Sequence, residues 1–191
     1  MTPQRLAVKF FAKPDPSAAV DLEPFVALFH EFIQTKRLDG LLIDVADYSH
    51  VPDGPGVILV GHDVEYGIDR AGGLAGLRTI GKRFENATID EAARDVLQKA
   101  LACVAAIEID GRSGLAFETA AVEIQLIDRL RVPHTGEAVS AALDELRPAI
   151  DALYGNAVVE AAPAADPRSL PTFSAVAAEP ADIPALLSRL G

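Results

Sequence analysis

The sequence predicts an α+β domain built on a mostly antiparallel sheet with helices packed on one face. Three observations carry this expectation. Apolar residues recur at three- and four-residue intervals in the helical segments, which gathers them onto one face. Alternating or short apolar runs bounded by Gly, Pro and Asp mark the strands. The resulting order, β-α-β-β-β-β-α-β-α-β-β-α, favours an antiparallel-rich sheet over other layer arrangements, and no fixed-period repeat is present.

Arg5 to Phe11 alternates loosely and reads as the first strand, closed by Lys13-Pro-Asp-Pro16, whose prolines cannot continue a ladder. Leu22, Phe25, Leu28, Phe29, Phe32 and Ile33 then define an apolar helical stripe, with Asp21 as N-cap and Pro24 tolerated in the first turn. Leu41 to Ala46 reads as a mostly buried strand and Val57 to Val60 as another. Val64, Tyr66 and Ile68 alternate with Glu65, Gly67 and Asp69, so a hairpin is expected around Gly61-His62-Asp63. Gly72-Gly73 leads into a further strand, Leu77 to Lys82. Thr88-Ile-Asp-Glu91 is a capping box ahead of a second long helix. One long strand is expected from Leu115 to Asp128, and a third helix after Pro133-His134-Thr135, kinked or restarted at Pro148 and stopped by Gly155-Asn156. Residues 1–161 read as one core. Residues 162–191 form a Pro- and Ala-rich segment with a strand at Thr172–Ala177 and a terminal amphipathic helix capped by Asp182, docked on the core or on a partner subunit.

Composition narrows the class. A chain of 191 residues with mean hydropathy +0.22 and no run of about 18 apolar residues is expected to be soluble rather than membrane-spanning. The start lacks the pattern of an export signal, and the single cysteine, Cys103, fits a reducing compartment, so a cytoplasmic setting is expected. A net charge of −11 disfavours nucleic acid and anionic membranes as partners. The expected partner is a second copy, as a homodimer or other homo-oligomer.

Candidate chemistry concentrates between Leu42 and Asp63. Asp47, His50 and His62 form a two-histidine, one-carboxylate set that zinc, iron or manganese accepts, although their spacing fixes no geometry. Without metal, His50 or His62 is a candidate general base and Asp47 the group that orients it. Asp44, Tyr48, Asp53, Asp63 and Arg129 are candidate ligand or interface residues. The bland account is that Asp-Gly-Pro-Gly and its neighbours only build a turn. His30 lies off the apolar stripe and reads as solvated, and His134 belongs to the approach to a helix. Gly54-Pro-Gly56 and Gly72-Gly73 do not open a predicted helix and so lack the geometry of a phosphate cradle.

The block from Phe29-His-Glu-Phe-Ile-Gln34 through Leu42-Ile-Asp-Val-Ala-Asp-Tyr-Ser-His-Val-Pro-Asp-Gly-Pro-Gly-Val-Ile-Leu-Val-Gly-His62 resembles a family of bacterial proteins of uncharacterised function. Asp128-Arg129-Leu130 with Pro133 is similar to a second block of that family, and together they span about the middle two-thirds of the chain. The resemblance implies one intact bacterial domain and transfers no catalytic residue. The function expected is that of a binding or structural module whose 44–63 segment lines a pocket or an interface; a metal-dependent enzyme is the alternative.

Overall fold

The computed structural model describes residues 3–51, 54–84, 87–163 and 168–191. Strands β1 (Arg5–Lys13), β2 (Leu42–Tyr48), β3 (Gly56–Gly61), β4 (Val64–Asp69), β5 (Gly76–Lys82), β6 (Ala116–Phe117), β7 (Ala121–Leu126), β8 (Ala157–Ala161) and β9 (Thr172–Ala177) form one sheet. Its order is β2-β3-β4-β5-β1-β7-β9-β8, with β6 paired to β1 off the path, and every pairing is antiparallel. Helices α1 (Glu23–Thr35), α2 (Ile89–Asp110), α3 (Gly136–Tyr154) and α4 (Ile183–Leu190) lie over one face. The architecture is the predicted α+β fold.

Register explains why one face became the core. Leu59, Tyr66, Thr79, Val8, Ile124 and Phe173 are successive cross-strand partners, so they share the face under the helices, and all are fully buried. On α1, Phe25, Leu28, Phe29 and Phe32 are buried, with ring centroids 5.8 Å apart for Phe25–Phe29 and 6.0 Å for Phe29–Phe32. Burying four such side chains stabilises by roughly 6–12 kcal/mol before chain entropy is charged against it. α2 begins with the predicted capping box, since Glu91 N–H donates to Thr88 Oγ1 at 3.2 Å while Thr88 N–H donates to Glu91 Oε2 at 2.8 Å. Gly81 lets α2 approach β5: a Cβ there would collide with Val96 on α2 and with Phe84.

The details depart from the sequence pattern in four places. β2 is an edge strand, not a mostly buried one, and Leu41 and Ile43 are 65% and 55% exposed. The α1 N-cap is Leu22, while Asp21 Oδ1 accepts from Glu23 N–H at 3.0 Å one step earlier. The long strand expected from Leu115 to Asp128 is interrupted between Phe117 and Ala121, and Ala120 N–H turns back to Glu118 Oε1 at 2.9 Å. α3 runs through Pro148 as one helix. Its last two turns bury Leu146, Ala149, Ile150 and Leu153, and that packing outweighs the missing backbone hydrogen bond.

β9 is an interior strand, hydrogen-bonded to β7 on one side and β8 on the other. α4 packs on α2 and α3 through Leu186 and Leu190, with Asp182 Oδ1 accepting from Ala185 N–H at 2.8 Å. No helix among the described residues is long and apolar enough to cross a membrane.

Candidate functional site

The antiparallel register of β2 and β3 decides where the polar residues go. Asp47 sits opposite Val57 and Tyr48 opposite Gly56, whereas Leu42 sits opposite Gly61, immediately before His62. Asp47 and His50 therefore occupy one end of β3 and His62 and Asp63 the other. The five residue steps from Val57 to His62 span about 17 Å at ~3.4 Å each. Antiparallel neighbours bring together the end of one strand and the start of the next, so the adjacency of β2 and β3 does not gather the two histidines. No group of three or more His, Cys, Asp or Glu side chains that could hold a metal occurs among the described residues. Asp53 lies outside the described residues.

At the His62 end, His62 Nδ1 and Asp63 Oδ1 are 2.7 Å apart, and Arg83 Nη1 contacts His62 Nε2. With Arg83 donating to Nε2, the imidazole is left with Nδ1 to donate to Asp63. Arg83 reaches this position from a left-handed backbone conformation, φ 64°, just after β5. The His62 and Asp63 side chains are 48% and 57% exposed, so water screens the pair. Arg129 lies at this same end of the sheet, beyond β7 and separated from β4 by β5 and β1; its Nη1 donates to the Arg168 carbonyl at 3.0 Å. His134 Nδ1 lies 2.7 Å from Ser169 Oγ, and His30 is exposed.

At the other end a concave site forms where the start of α1, the end of β2 and the residue after β4 converge. A pocket of about 430 Å³ is lined by Val20, Asp21, Leu22, Glu23, Val26, Asp47, Ser49 and Arg70. Asp47 is well placed to stay ionised: the Ser49 side chain and then the Ser49 backbone N–H hold its carboxyl below the usual range. Arg70 Nη2 donates to the Ser49 carbonyl at 3.2 Å. Its Nε is buried and has no hydrogen-bond partner among the described residues. On the far side of Arg70 lies a second pocket of about 240 Å³, walled by Pro16, Ser17, Ala18, Ala19, Gly73 and Ala75. Sequence reading selected Asp47 but missed Ser49, Arg70 and Arg83, because an arginine after a strand carries no local signal of the groups that the sheet register will place beside it.

Alternation along β2 gives its residues two destinations. Asp47 turns to the helix side and lines this pocket, while Asp44 and Tyr48 fall on the opposite face with Val60 and Ile58. His50 is exposed in the turn after β2, where Val51 N–H donates to the Tyr48 carbonyl at 2.9 Å.

Fold and site together define an α+β protein with one helix-covered sheet face, one face that no helix among the described residues covers, and a polar pocket at a corner between them. Comparison with protein-family models and with curated proteins finds no match to this chain.

Proposed function

We propose that this protein is a binding module whose 44–63 segment serves a small-ligand pocket on one side and self-association on the other. The observation that carries the reading is the corner pocket at Asp47, Ser49 and Arg70. Asp21, Glu23 and Asp47 offer carboxylates, Arg70 offers a guanidinium with a buried donor to satisfy, and Leu22 and Val26 supply an apolar wall. A small molecule bearing both an ammonium and a carboxylate complements such a site, because each charge meets its opposite and Arg70 can engage a carboxylate through two N–H groups. The single buried cysteine and the acidic charge support a cytoplasmic setting, and the resemblance described above supports a bacterial one.

Thermal denaturation in the presence of individual α-amino acids and ω-amino acids tests this reading. At about 100 times its dissociation constant, a ligand stabilises by about 2.7 kcal/mol, an upward shift in Tm that Arg70→Met is expected to abolish. No shift with any compound at about 10 mM, or a shift unchanged in Arg70→Met, would count against the pocket.

A further inference from the structure

We infer that the helix-free face of the sheet is the surface on which a second copy of this chain docks, sheet against sheet. Among the described residues no helix covers it, yet across its middle strands apolar side chains stand between the charged ones, unlike the wholly polar face that an antiparallel sheet normally turns to solvent. The row Val60, Glu65, Ile80, Ala7, Gln125 and Thr172 runs across it by successive pairing, and a second row joins Ile58, Gly67, Arg78 and Lys9. Ile58, Val60 and Ile80 are half-buried with no covering element, Ala7 is 2% exposed, and Tyr48 extends the patch onto β2 at 43% exposure.

Charged side chains of both signs share this face, Glu123 following Lys9 in the second row, and several are already partnered within each copy. Lys82 Nζ lies 2.8 Å from Glu65 Oε1, Arg78 Nη2 donates to Gln125 Oε1 at 2.6 Å, and Lys9 and Asp69 pair at 3.4 Å with side chains only 7% and 6% exposed. Docking over these groups therefore strips little water from unpaired charge. The remainder of a chain with net charge −11 is left acidic and mutually repelling, so this near-neutral face is the one on which two copies can approach.

Area decides that the contact can persist. Six strands at about 4.8 Å and six residues at ~3.4 Å give a patch of roughly 29 by 20 Å, so two copies bury on the order of 1,100 Å², above the ~1,000 Å² a specific interface should clear. Two such sheets stack about 10 Å apart with Ile58, Val60 and Ile80 of each copy interleaved. A shallow hollow at Gly67, bounded by Pro55, Ile58, Arg78 and Ile80, is the socket for a side chain of the partner subunit.

This face is separate from the corner pocket, so its test is separate too. Light scattering at about 50 µM is expected to give the mass of two chains, and Ile58→Asp/Ile80→Asp the mass of one with an unchanged circular dichroism spectrum. A wild-type monomer overturns the inference, as does a folded double variant that stays dimeric, which would place the contact at the β2 or β8 edge. Should the double variant fail to fold, Val60→Cys, Ile80→Cys and Gln125→Cys decide the matter, since the only native thiol, Cys103, is buried. Oxidation that links copies at one or more of these positions supports face-to-face docking, and a dimer that none of them links refutes it.

Discussion

At the scale of single residues, hydrogen bonds from Ser49 hold Asp47 low, whereas burial acts on two phenols and a thiol. Tyr66 and Tyr154 are pushed up, chiefly by desolvation, and Cys103 is pushed up by the same cause. Tyr154 still places its hydroxyl usefully, donating to the Thr119 carbonyl at 2.8 Å. Both phenols have folded-state values above their unfolded ones. Their contribution to stability is therefore complete below about pH 10 and is lost as pH climbs from there toward the folded values. The expected outcome of a spectrophotometric titration is that Tyr66 and Tyr154 ionise only in a step that coincides with loss of the far-ultraviolet circular dichroism signal. Ionisation of either with structure retained would contradict their buried placement.

At the scale of elements, the sequence was most legible where one physical rule acts alone. The capping box at Thr88 and Glu91, the α1 stripe from Phe25 to Phe32 and the alternation of Val64, Tyr66 and Ile68 each name an element without knowledge of its neighbours. It was least legible where tertiary packing overrides a local preference. The run from Leu41 to Ala46 is apolar enough for a central strand, yet it forms an edge because β3 pairs with β4 on its other side. The β-bulge between Leu42 and Asp44, together with Asp44 and Asp47, makes that edge a poor template for a stray strand. Pro148 shows the opposite balance, a helix breaker held in a helix by the residues around it. Pro148→Ala restores a backbone donor and removes the ring clash, and is expected to stabilise the protein by about 1–3 kcal/mol, measured as a rise in urea midpoint at unchanged slope. A loss of stability would mean that the ring packs in a way the backbone argument omits. For the candidate site the limit was register: Asp47, His50 and His62 are close in sequence, and only the pairing of Asp47 with Val57 shows that β3 holds them apart.

At the scale of the whole molecule, the C-terminal strand and helix are integral to the architecture. β9 joins β7 to β8, and among the described residues β8 has no other strand neighbour. α4 covers α2 and α3. A chain ended at residue 161 would lose one side of β7, all pairing of β8 and the apolar cover supplied by Leu186 and Leu190. Such a truncation is expected to melt without a cooperative transition and to bind a hydrophobic dye, where the 191-residue chain melts sharply. Cooperative melting of the shortened form would show that β9 is dispensable.

The position of β1 has a consequence for how the chain is made. It lies between β5 and β7, and its Val8 awaits Thr79 on one side and Ile124 on the other. During vectorial synthesis Leu6-Ala-Val-Lys-Phe-Phe11 thus leaves the ribosome long before either neighbour exists, as a short segment of high strand propensity with both edges open. Lys9 is the one charge inside that segment. Buried beside Asp69 once the sheet closes, it acts earlier as a gatekeeper against aggregation.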